Sequence, residues 1–394
     1  MSATEPNESR SPRALAERRA HDARMAEVDF DLAPFTIAWE VTRACAFACR
    51  HCRAEAQPRP DPSELKTDEA FRLIDQIKEF GAPILILTGG DPMMRRDLFD
   101  LLAYAVERGL RTSLTPTTTR LVTPTALARV QASGVRRVAV SVDGPDAEVH
   151  DAFRGFPGSF DLAMRIARDI GESGLSLQVN STVSRYNVDR LDEIAELVSS
   201  LGAVQWSVFF LVPTGRALAN DMISAAEHEQ VFHWLYDLSR RAPFDVKSTA
   251  APAYRRVAIQ RERQRGSAGA RTMTFAGAGY RFEDGLNRPV KAVNDGKGFC
   301  FISHTGDVCP SGFLPLAAGN VRQRPVPEIY RSAPLFRSLR DPEQLTGKCG
   351  RCEFRDVCGG SRARAYATTG DYLAADPSCV YEPAASTAAQ ADAV

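Results

Sequence analysis

The sequence lacks an excess of charge of either sign. Its 394 residues include 49 Lys and Arg residues and 49 Asp and Glu residues. Because no net field surrounds the chain, its overall charge gives no reason to expect binding to nucleic acid or to an anionic membrane. The sequence also lacks any run of 18 or more apolar residues, so we expect no membrane-spanning helix.

The N-terminal residues lack the apolar core of a secretory signal peptide. The chain nevertheless contains nine cysteines. Cysteines without an export signal indicate a reducing compartment, where thiols bind metals more often than they form disulfides. We therefore expect a cytoplasmic protein with metal centres, and the length predicts two or three domains.

Three of the cysteines, Cys45, Cys49 and Cys52, are spaced C-x3-C-x2-C. Three thiolates on one short loop can ligate three irons of a [4Fe–4S] cluster and leave the fourth iron open to a small molecule. A structural zinc site prefers four protein ligands, and the close spacing disfavours three unrelated buried thiols. The triplet therefore predicts a cluster with one open iron.

A second set of cysteines lies near the C-terminus. Four thiolates in its pattern, C-x2-C-x5-C followed by one more cysteine, can close a complete iron–sulfur cluster, and a zinc site is the alternative. Two further cysteines could be buried thiols, a redox pair or ligands of an incomplete site. The set comprises Cys349, Cys352, Cys358 and Cys379, and the two further cysteines are Cys300 and Cys309.

Short apolar runs alternate with amphipathic segments from Phe35 onward. Six strand–helix units in series predict an α/β fold with parallel pairing and right-handed crossovers. The pattern alone leaves open a closed barrel, a partial barrel and a doubly wound sheet. In each of them the functional residues lie at the C-terminal ends of the strands, and the cysteine loop follows the first strand.

The composition divides the chain into five segments. Residues 1–33 form a polar arm that we expect to be partly disordered. Residues 34–240 carry the strand–helix units, and residues 241–295 form a linker and loop region with a charged helical piece at Arg255–Arg265. Residues 296–383 form a small cysteine-rich domain, and residues 384–394 form an Ala-rich, disordered tail.

Two motifs follow predicted strands. In Thr88-Gly-Gly-Asp-Pro92 the glycines allow close approach of the backbone to a ligand, and Asp91 can pair with an ammonium group. Ser141 and Asp143 end the fourth strand and project to the same side of it. Arg154, a little further on, could pair with a carboxylate of a ligand or hold a loop.

Together, the cysteine triplet and the Gly-Gly-Asp-Pro turn resemble those of the radical S-adenosylmethionine (SAM) enzymes, and the C-terminal cysteines resemble the SPASM extension of that family. The resemblance implies a partial (β/α)6 TIM-like barrel at 34–240 and a small SPASM/twitch-like auxiliary-cluster domain at 296–383. It also implies an oxidoreductase or maturase-type enzyme. Such an enzyme cleaves SAM reductively at a [4Fe–4S] cluster to a 5′-deoxyadenosyl radical, which abstracts hydrogen from a substrate.

The resemblance further implies which residues bind the cofactors. Asp91 replaces the Glu that usually holds the amino group of SAM, and His51 takes the place of an aromatic residue that stacks on adenine. The residues implied to bind SAM are Gly89, Gly90, Asp91, Pro92, Ser141, Asp143, Asn180 and His51. The metal ligands implied are Cys45, Cys49 and Cys52 for the SAM-binding cluster and Cys349, Cys352, Cys358 and Cys379 for one auxiliary [4Fe–4S] cluster.

Two serines limit the number of clusters. Ser311 and Ser361 stand where the SPASM extension normally has cysteines of another auxiliary cluster, and hydroxyls are poor ligands for iron–sulfur clusters. We therefore expect two clusters rather than three.

Four stretches resemble the haem synthases (Fe-coproporphyrin decarboxylases) of the alternative haem pathway: Trp39–Cys45, His51–Ala56, Phe210–Arg216 and Cys358–Tyr366. The two serines depart from that pattern and favour a sister group. The resemblance implies oxidative modification or decarboxylation of a carboxylated small molecule. Maturation of a ribosomally made peptide is the alternative, although the sequence shows no obvious peptide-clasping domain at its N-terminus. A non-catalytic metal-dependent binding protein is the alternative from another class. The resemblance also implies a reducing partner such as flavodoxin or ferredoxin. It implies no binding to nucleic acid or to a membrane.

Overall fold

The computed structural model describes residues 28–264 and 293–383. Its strands form one ten-stranded sheet in the order β10-β9-β8-β1-β2-β3-β4-β5-β6-β7. The strands are β1 (Thr36–Glu40), β2 (Ile84–Thr88), β3 (Arg111–Leu114), β4 (Arg137–Ser141), β5 (Ser176–Val183), β6 (Gln205–Phe210), β7 (Asp245–Thr249), β8 (Phe299–Ile302), β9 (Asp307–Cys309) and β10 (Gly319–Asn320).

Helices connect the strands and cover the outer face of the sheet. In the described part of the chain they are α1 (Thr67–Lys78), α2 (Leu98–Glu107), α3 (Pro124–Ala132), α4 (Ala147–Arg154), α5 (Ser159–Glu172), α6 (Leu191–Ser200), α7 (Ala225–Arg241), α8 (Ala253–Gln264), α9 (Val326–Ser332), α10 (Pro334–Arg340), α11 (Gly347–Gly350) and α12 (Arg362–Thr369).

The first seven strands pair in parallel in chain order. The C-terminal region then adds β8 in parallel to the free side of β1, and β9 and β10 continue the sheet in antiparallel pairs. The predicted α/β partial barrel is therefore confirmed. The cysteine-rich region shares the sheet of the barrel, so its position relative to the mouth is fixed by backbone hydrogen bonds.

The strand–helix alternation continues past residue 240, where the sequence predicts a linker. β7 and α8 lie within 241–295, and β7 pairs with β6. The prediction is wrong here because β7 reads Asp-Val-Lys-Ser-Thr, and Val246 is its only buried residue. No apolar run marks such a strand. The helix predicted at Arg255–Arg265 is confirmed as α8, whereas residues 265–292 of the predicted loop region lie outside the described residues.

The two faces of the sheet differ in polarity. Along β5 the buried residues Leu177, Val179 and Val183 face the helices, and the half-buried Gln178 and Asn180 face the concave side. Successive side chains of a strand point to opposite faces, so the concave side is a polar lumen. We call this concave side the lumen.

The end of the predicted N-terminal arm is held in place by the C-terminal region. The hydroxyl of Tyr330 donates to the carbonyl of Phe30 at 2.8 Å, and Arg340 pairs with Asp31 at 2.8 Å. Residues 1–27 and the predicted tail at 384–394 lie outside the described residues. Among the helices that the structure describes, none has the length and apolar character to cross a membrane.

Candidate active site

The cysteine loop after β1 packs directly on the Gly-Gly-Asp-Pro turn after β2. The amide of Gly90 donates to the carbonyl of Thr42 at 2.8 Å, and the amide of Asp91 donates to the carbonyl of Ala44 at 2.6 Å. A Cβ at Gly89 would lie 2.4 Å from the Thr42 carbonyl oxygen, and one at Gly90 would lie 2.4 Å from that of Ala44. The two glycines are therefore required by the close approach of these loops.

The Asp91 carboxylate points into the protein. It is fully buried and accepts hydrogen bonds from the amide of Met93 at 3.1 Å and the hydroxyl of Thr119 at 2.7 Å. Burial raises the pKa of Asp91 to about 6, and these hydrogen bonds act in the opposite direction. In this arrangement Asp91 holds the turn together, while Pro92 begins a short 3₁₀ turn after it. The contact of the Asp91 carboxylate with the amino group of SAM stays a prediction.

The loop after β6 clamps the cysteine loop from the other side. The guanidinium of Arg216 donates to the carbonyls of Cys49 at 2.9 Å and Ala56 at 3.1 Å. Gly215 has φ +64°, and a Cβ there would lie 2.5 Å from the Cys52 carbonyl oxygen. The loop after β6 has the sequence Pro-Thr-Gly-Arg at residues 213–216. Its glycine and arginine fix the backbone that carries the cysteines.

A buried ion pair lies beside the cysteine loop. Arg154, at the end of α4, contacts the Asp143 carboxylate at 2.6 Å, and the amide of Thr182 donates to the same carboxylate at 2.7 Å. Burial opposes ionisation of Asp143, but Arg154, His51 and His150 outweigh it and lower its pKa. Asp143 thus binds neighbouring protein groups, and its contact with SAM stays a prediction.

The structure brings the other predicted SAM-binding residues to the same mouth. Ser141 ends β4 beside Asn180 of β5, and both side chains face the lumen. The ring of His51 stacks on that of Phe153 with centroids 4.0 Å apart. Burial lowers the pKa of His51 to about 3, so the ring is neutral. One face of the His51 ring is therefore covered by protein, and stacking on adenine stays a prediction.

The surroundings of the first cysteine set fit an iron–sulfur cluster. The sulfurs of Cys45 and Cys52 accept hydrogen bonds from the amides of Phe47 at 3.3 Å and Ala56 at 3.5 Å. Burial raises the pKa of the Cys49 thiol, and the adjacent Arg154 guanidinium lowers it. Amide donors and a nearby cation stabilise thiolates, which are the form that ligates iron.

One important carboxylate at the mouth has no motif in the sequence. Glu40, the last residue of β1, is fully buried and contacts Arg53 at 2.9 Å, Arg43 at 3.1 Å and His304 Nδ1 at 2.9 Å. Burial opposes ionisation of Glu40, but Arg53, His304 and Arg43 outweigh it and lower its pKa to about 2. Because Arg43 and Arg53 lie on either side of the triplet, Glu40 joins both ends of the cysteine loop. A charged residue that ends an otherwise buried strand is the signal that could have identified it.

The second cysteine set lies among similar donors. The sulfur of Cys349 accepts from the amide of Asp376 at 3.4 Å, and that of Cys358 accepts from the amide of Gly360 at 3.4 Å. Burial raises the pKa of Cys358 to about 12, and the neighbouring thiols of Cys349 and Cys379 add to the shift. The thiols are close enough to influence one another, which fits ligands of one cluster.

The arrangement differs from a site for a single metal ion. Within 28–264 and 293–383, no three His, Cys, Asp or Glu side chains converge as the ligands of one ion do. A zinc ion and an iron–sulfur cluster would both use the four C-terminal thiolates, and iron and zinc analysis distinguishes them. In a [4Fe–4S] cluster the cysteines ligate different irons.

The hydroxyls of Ser311 and Ser361 accept hydrogen bonds from backbone amides. The Ser311 hydroxyl accepts from the amides of Phe313 and Leu314, each at 3.2 Å, and the Ser361 hydroxyl caps α12 by accepting from the amide of Arg364 at 3.2 Å. Both hydroxyls thus stabilise turns of the backbone.

Cys300 and Cys309 lie on neighbouring antiparallel strands. Cys309 stands opposite Phe301, so Cys300, one residue away, points to the other face of the sheet. The register disfavours a redox pair and favours two buried thiols.

Comparison with known families agrees with this geometry. A model of the Radical SAM superfamily matches residues 39–198, and a model of the SPASM iron–sulfur cluster-binding domain matches residues 294–353. A protein named AdoMet-dependent heme synthase, from Nitratidesulfovibrio vulgaris, is 48% identical over 88% of this chain and 92% of its own length. The chain belongs to the radical SAM superfamily. It is a radical SAM enzyme with a SPASM domain, so the non-catalytic alternative is set aside.

Two other similarities are to a protein named as a maturase and to a solved structure. A protein named mycofactocin maturase MftC, from Mycolicibacterium smegmatis, is 31% identical over 88% of this chain and 83% of its own length. The crystal structure of Streptococcus suis SuiB bound to S-adenosylmethionine superposes with a TM-score of 0.68, covering 94% of this chain and 82% of that one. At 16% identity, this second similarity shows the fold alone.

Proposed function

We propose that this radical SAM enzyme oxidatively decarboxylates propionate side chains of iron coproporphyrin III. The observation that carries the proposal is the 48% identity to a protein named AdoMet-dependent heme synthase, over 88% of the chain. Such an identity over both the barrel and the cysteine-rich region favours a shared substrate class. The polar lumen at the mouth suits a substrate with carboxylates.

The proposed reaction balances in atoms and electrons. Each side chain –CH2–CH2–COO⁻ loses one hydrogen atom, one CO2 and one electron and becomes –CH=CH2. When bound, the cluster and SAM supply the 5′-deoxyadenosyl radical that takes the hydrogen atom. One electron enters with the cleavage of SAM, and one passes to a one-electron acceptor, such as the oxidised form of the reductant, when CO2 leaves, so SAM is the net oxidant. A reductant such as flavodoxin or ferredoxin would deliver the first electron.

The residues of the chain hold and position these groups. Cys45, Cys49 and Cys52 would hold the SAM-binding cluster, on a loop that Arg216 fixes through two backbone carbonyls. Gly90 lets the turn after β2 reach this loop, and Arg154 places a cation beside Cys49. The second set, ending in Cys358 and Cys379, would hold one auxiliary cluster.

The test uses anaerobically reconstituted protein with SAM and dithionite. With iron coproporphyrin III we expect 5′-deoxyadenosine and a porphyrin lighter by CO2 and two hydrogens for each propionate converted. The Cys49→Ala variant should produce neither. Formation of 5′-deoxyadenosine without any change in the porphyrin mass would refute the proposed substrate.

Peptide maturation is the second candidate, because a 31% identical relative is named mycofactocin maturase. It predicts that a precursor peptide encoded beside the gene is modified under the same conditions, whereas iron coproporphyrin III is not. Incubation with each substrate separately, followed by mass spectrometry, distinguishes the two candidates.

A further inference from the structure

The lumen contains an ammonium group that none of these roles uses. Lys247 lies on β7, where its neighbour Val246 packs into the core between sheet and helices. Side chains alternate across a strand, so Lys247 faces the lumen. The strand register places Lys247 level with Ser207, Asn180 and Ser141. The lysine therefore shares a layer of the lumen with two residues predicted to bind SAM.

Lys247 has cations near it and no acidic partner among the described residues. Asp245 lies two residues earlier on the same face of the strand, but it is not among the groups that shift the pKa of Lys247. Burial lowers the pKa of Lys247 to about 8, and Arg137 and Arg255 act in the same direction. Lys247 is half-buried. A cation in such a position without a counter-ion is costly, so this layer favours an anion that comes from outside the chain.

An aromatic surface lies one layer closer to the mouth. Phe209 stands level with Thr182 and Thr249, two residues along their strands from the layer of Lys247. Its ring lies 6.3 Å from that of Phe313, at an interplanar angle of 56°. Phe313 is held there because its carbonyl accepts from the hydroxyl of Thr214 at 3.1 Å. The lumen thus has an aromatic entrance above a cationic layer.

This order of groups matches a flat, apolar ring system that carries carboxylates. We propose that Lys247 binds a propionate carboxylate of iron coproporphyrin III, while Phe209 and Phe313 contact its macrocycle; this assignment rests on the proposed function. An ammonium group pairs with a carboxylate through charge-assisted hydrogen bonds, which are stronger away from bulk water. Aromatic side chains provide the apolar contact area for the ring.

The test measures the binding of iron coproporphyrin III to holoenzyme variants by titration of its Soret band. Lys247→Met should weaken binding by about 10- to 100-fold, the range for loss of a hydrogen bond to a charged group. Lys247→Arg keeps the charge and should bind within a few-fold of the unaltered protein. Lys78→Met removes a half-buried lysine on α1, outside the lumen, and should change nothing.

A second ligand separates loss of charge pairing from loss of lumen shape. The iron complex of coproporphyrin III tetramethyl ester has the same macrocycle without carboxylates. It should bind the unaltered protein and Lys247→Met with equal affinity. If Lys247→Met weakens binding of the acid and the ester equally, the lysine shapes the lumen and the carboxylate role is overturned.

The remaining outcomes separate this inference from the proposed function. If the unaltered protein binds iron coproporphyrin III and Lys247→Met binds it equally well, the inference is overturned and the proposed function stands. If the unaltered protein does not bind iron coproporphyrin III, the proposed function is overturned and the inference with it.

Discussion

Replacement of Glu40 by Gln tests how the mouth of the barrel is held together. The Glu40 carboxylate contacts Arg43, Arg53 and His304 and is fully buried. Its pKa falls from 4.5 to about 2 in the folded protein. At 1.36 kcal/mol for each pKa unit, ionised Glu40 contributes about 3 kcal/mol to the free energy of unfolding. Gln keeps the shape of the side chain but removes its charge.

The pH dependence follows from the direction of the shift. A carboxyl group whose pKa is lowered by folding stabilises the protein fully above its unfolded pKa of about 4.5, and the contribution disappears as the pH falls toward 2. When the pH falls from 5 to 3.5, the free energy of unfolding of the unaltered protein should therefore decrease by about 1 kcal/mol more than that of Glu40→Gln. The stability difference between the two proteins should shrink by that amount.

The assay is urea-induced unfolding of both proteins at pH 7, 5 and 3.5. Asp68→Asn is the control, because Asp68 forms an exposed ion pair with Arg72 on α1 and such pairs contribute little. Equal stability of Glu40→Gln and the unaltered protein at pH 7 would refute the structural role of Glu40. A stability difference that stays constant down to pH 3.5 would refute its ionised state.

Three further predictions concern the cysteine loop and the clusters. Gly90→Ala places a Cβ 2.4 Å from the Ala44 carbonyl oxygen and should reduce iron binding. Gly171→Ala is the control, because a Cβ there has no atom within 4 Å, and it should retain iron binding. Iron analysis compares the two variants. Arg216→Met removes two hydrogen bonds to backbone carbonyls and should lower the free energy of unfolding by about 3 kcal/mol, measured with urea. Two cubanes predict about eight irons per chain, and Cys358→Ala should retain about four and melt at a lower temperature, because metal binding is part of the folding energy. About twelve irons would contradict the structural roles of Ser311 and Ser361.

Much of the barrel could be predicted from the sequence because its strands are short, buried and apolar. The alternation of short apolar runs and amphipathic segments predicted the series of parallel strands and connecting helices that the structure gives. β7 could not be predicted, since Val246 is its only buried residue and its other four side chains are polar and half-buried. α4 also escaped prediction, although Asp146 caps it by accepting from the amide of Val149 at 3.0 Å.

The sequence also reveals some residues of the candidate site, whereas only the fold reveals others. Close spacing in the chain identifies the cysteine triplet and the Gly-Gly turn. Glu40 and His304 are 264 residues apart, so only the fold could reveal their contact. Asp91 lies in a recognisable motif, but the motif cannot show that its carboxylate turns inward to Thr119.

The most direct measurement follows the hydrogen atom. Iron coproporphyrin III deuterated in its propionate side chains is incubated with reduced protein and SAM, and the 5′-deoxyadenosine formed is analysed by mass spectrometry. Radical decarboxylation predicts that 5′-deoxyadenosine gains deuterium while vinyl groups and CO2 appear. Decarboxylated porphyrin together with 5′-deoxyadenosine that contains no deuterium would contradict hydrogen abstraction from the propionate.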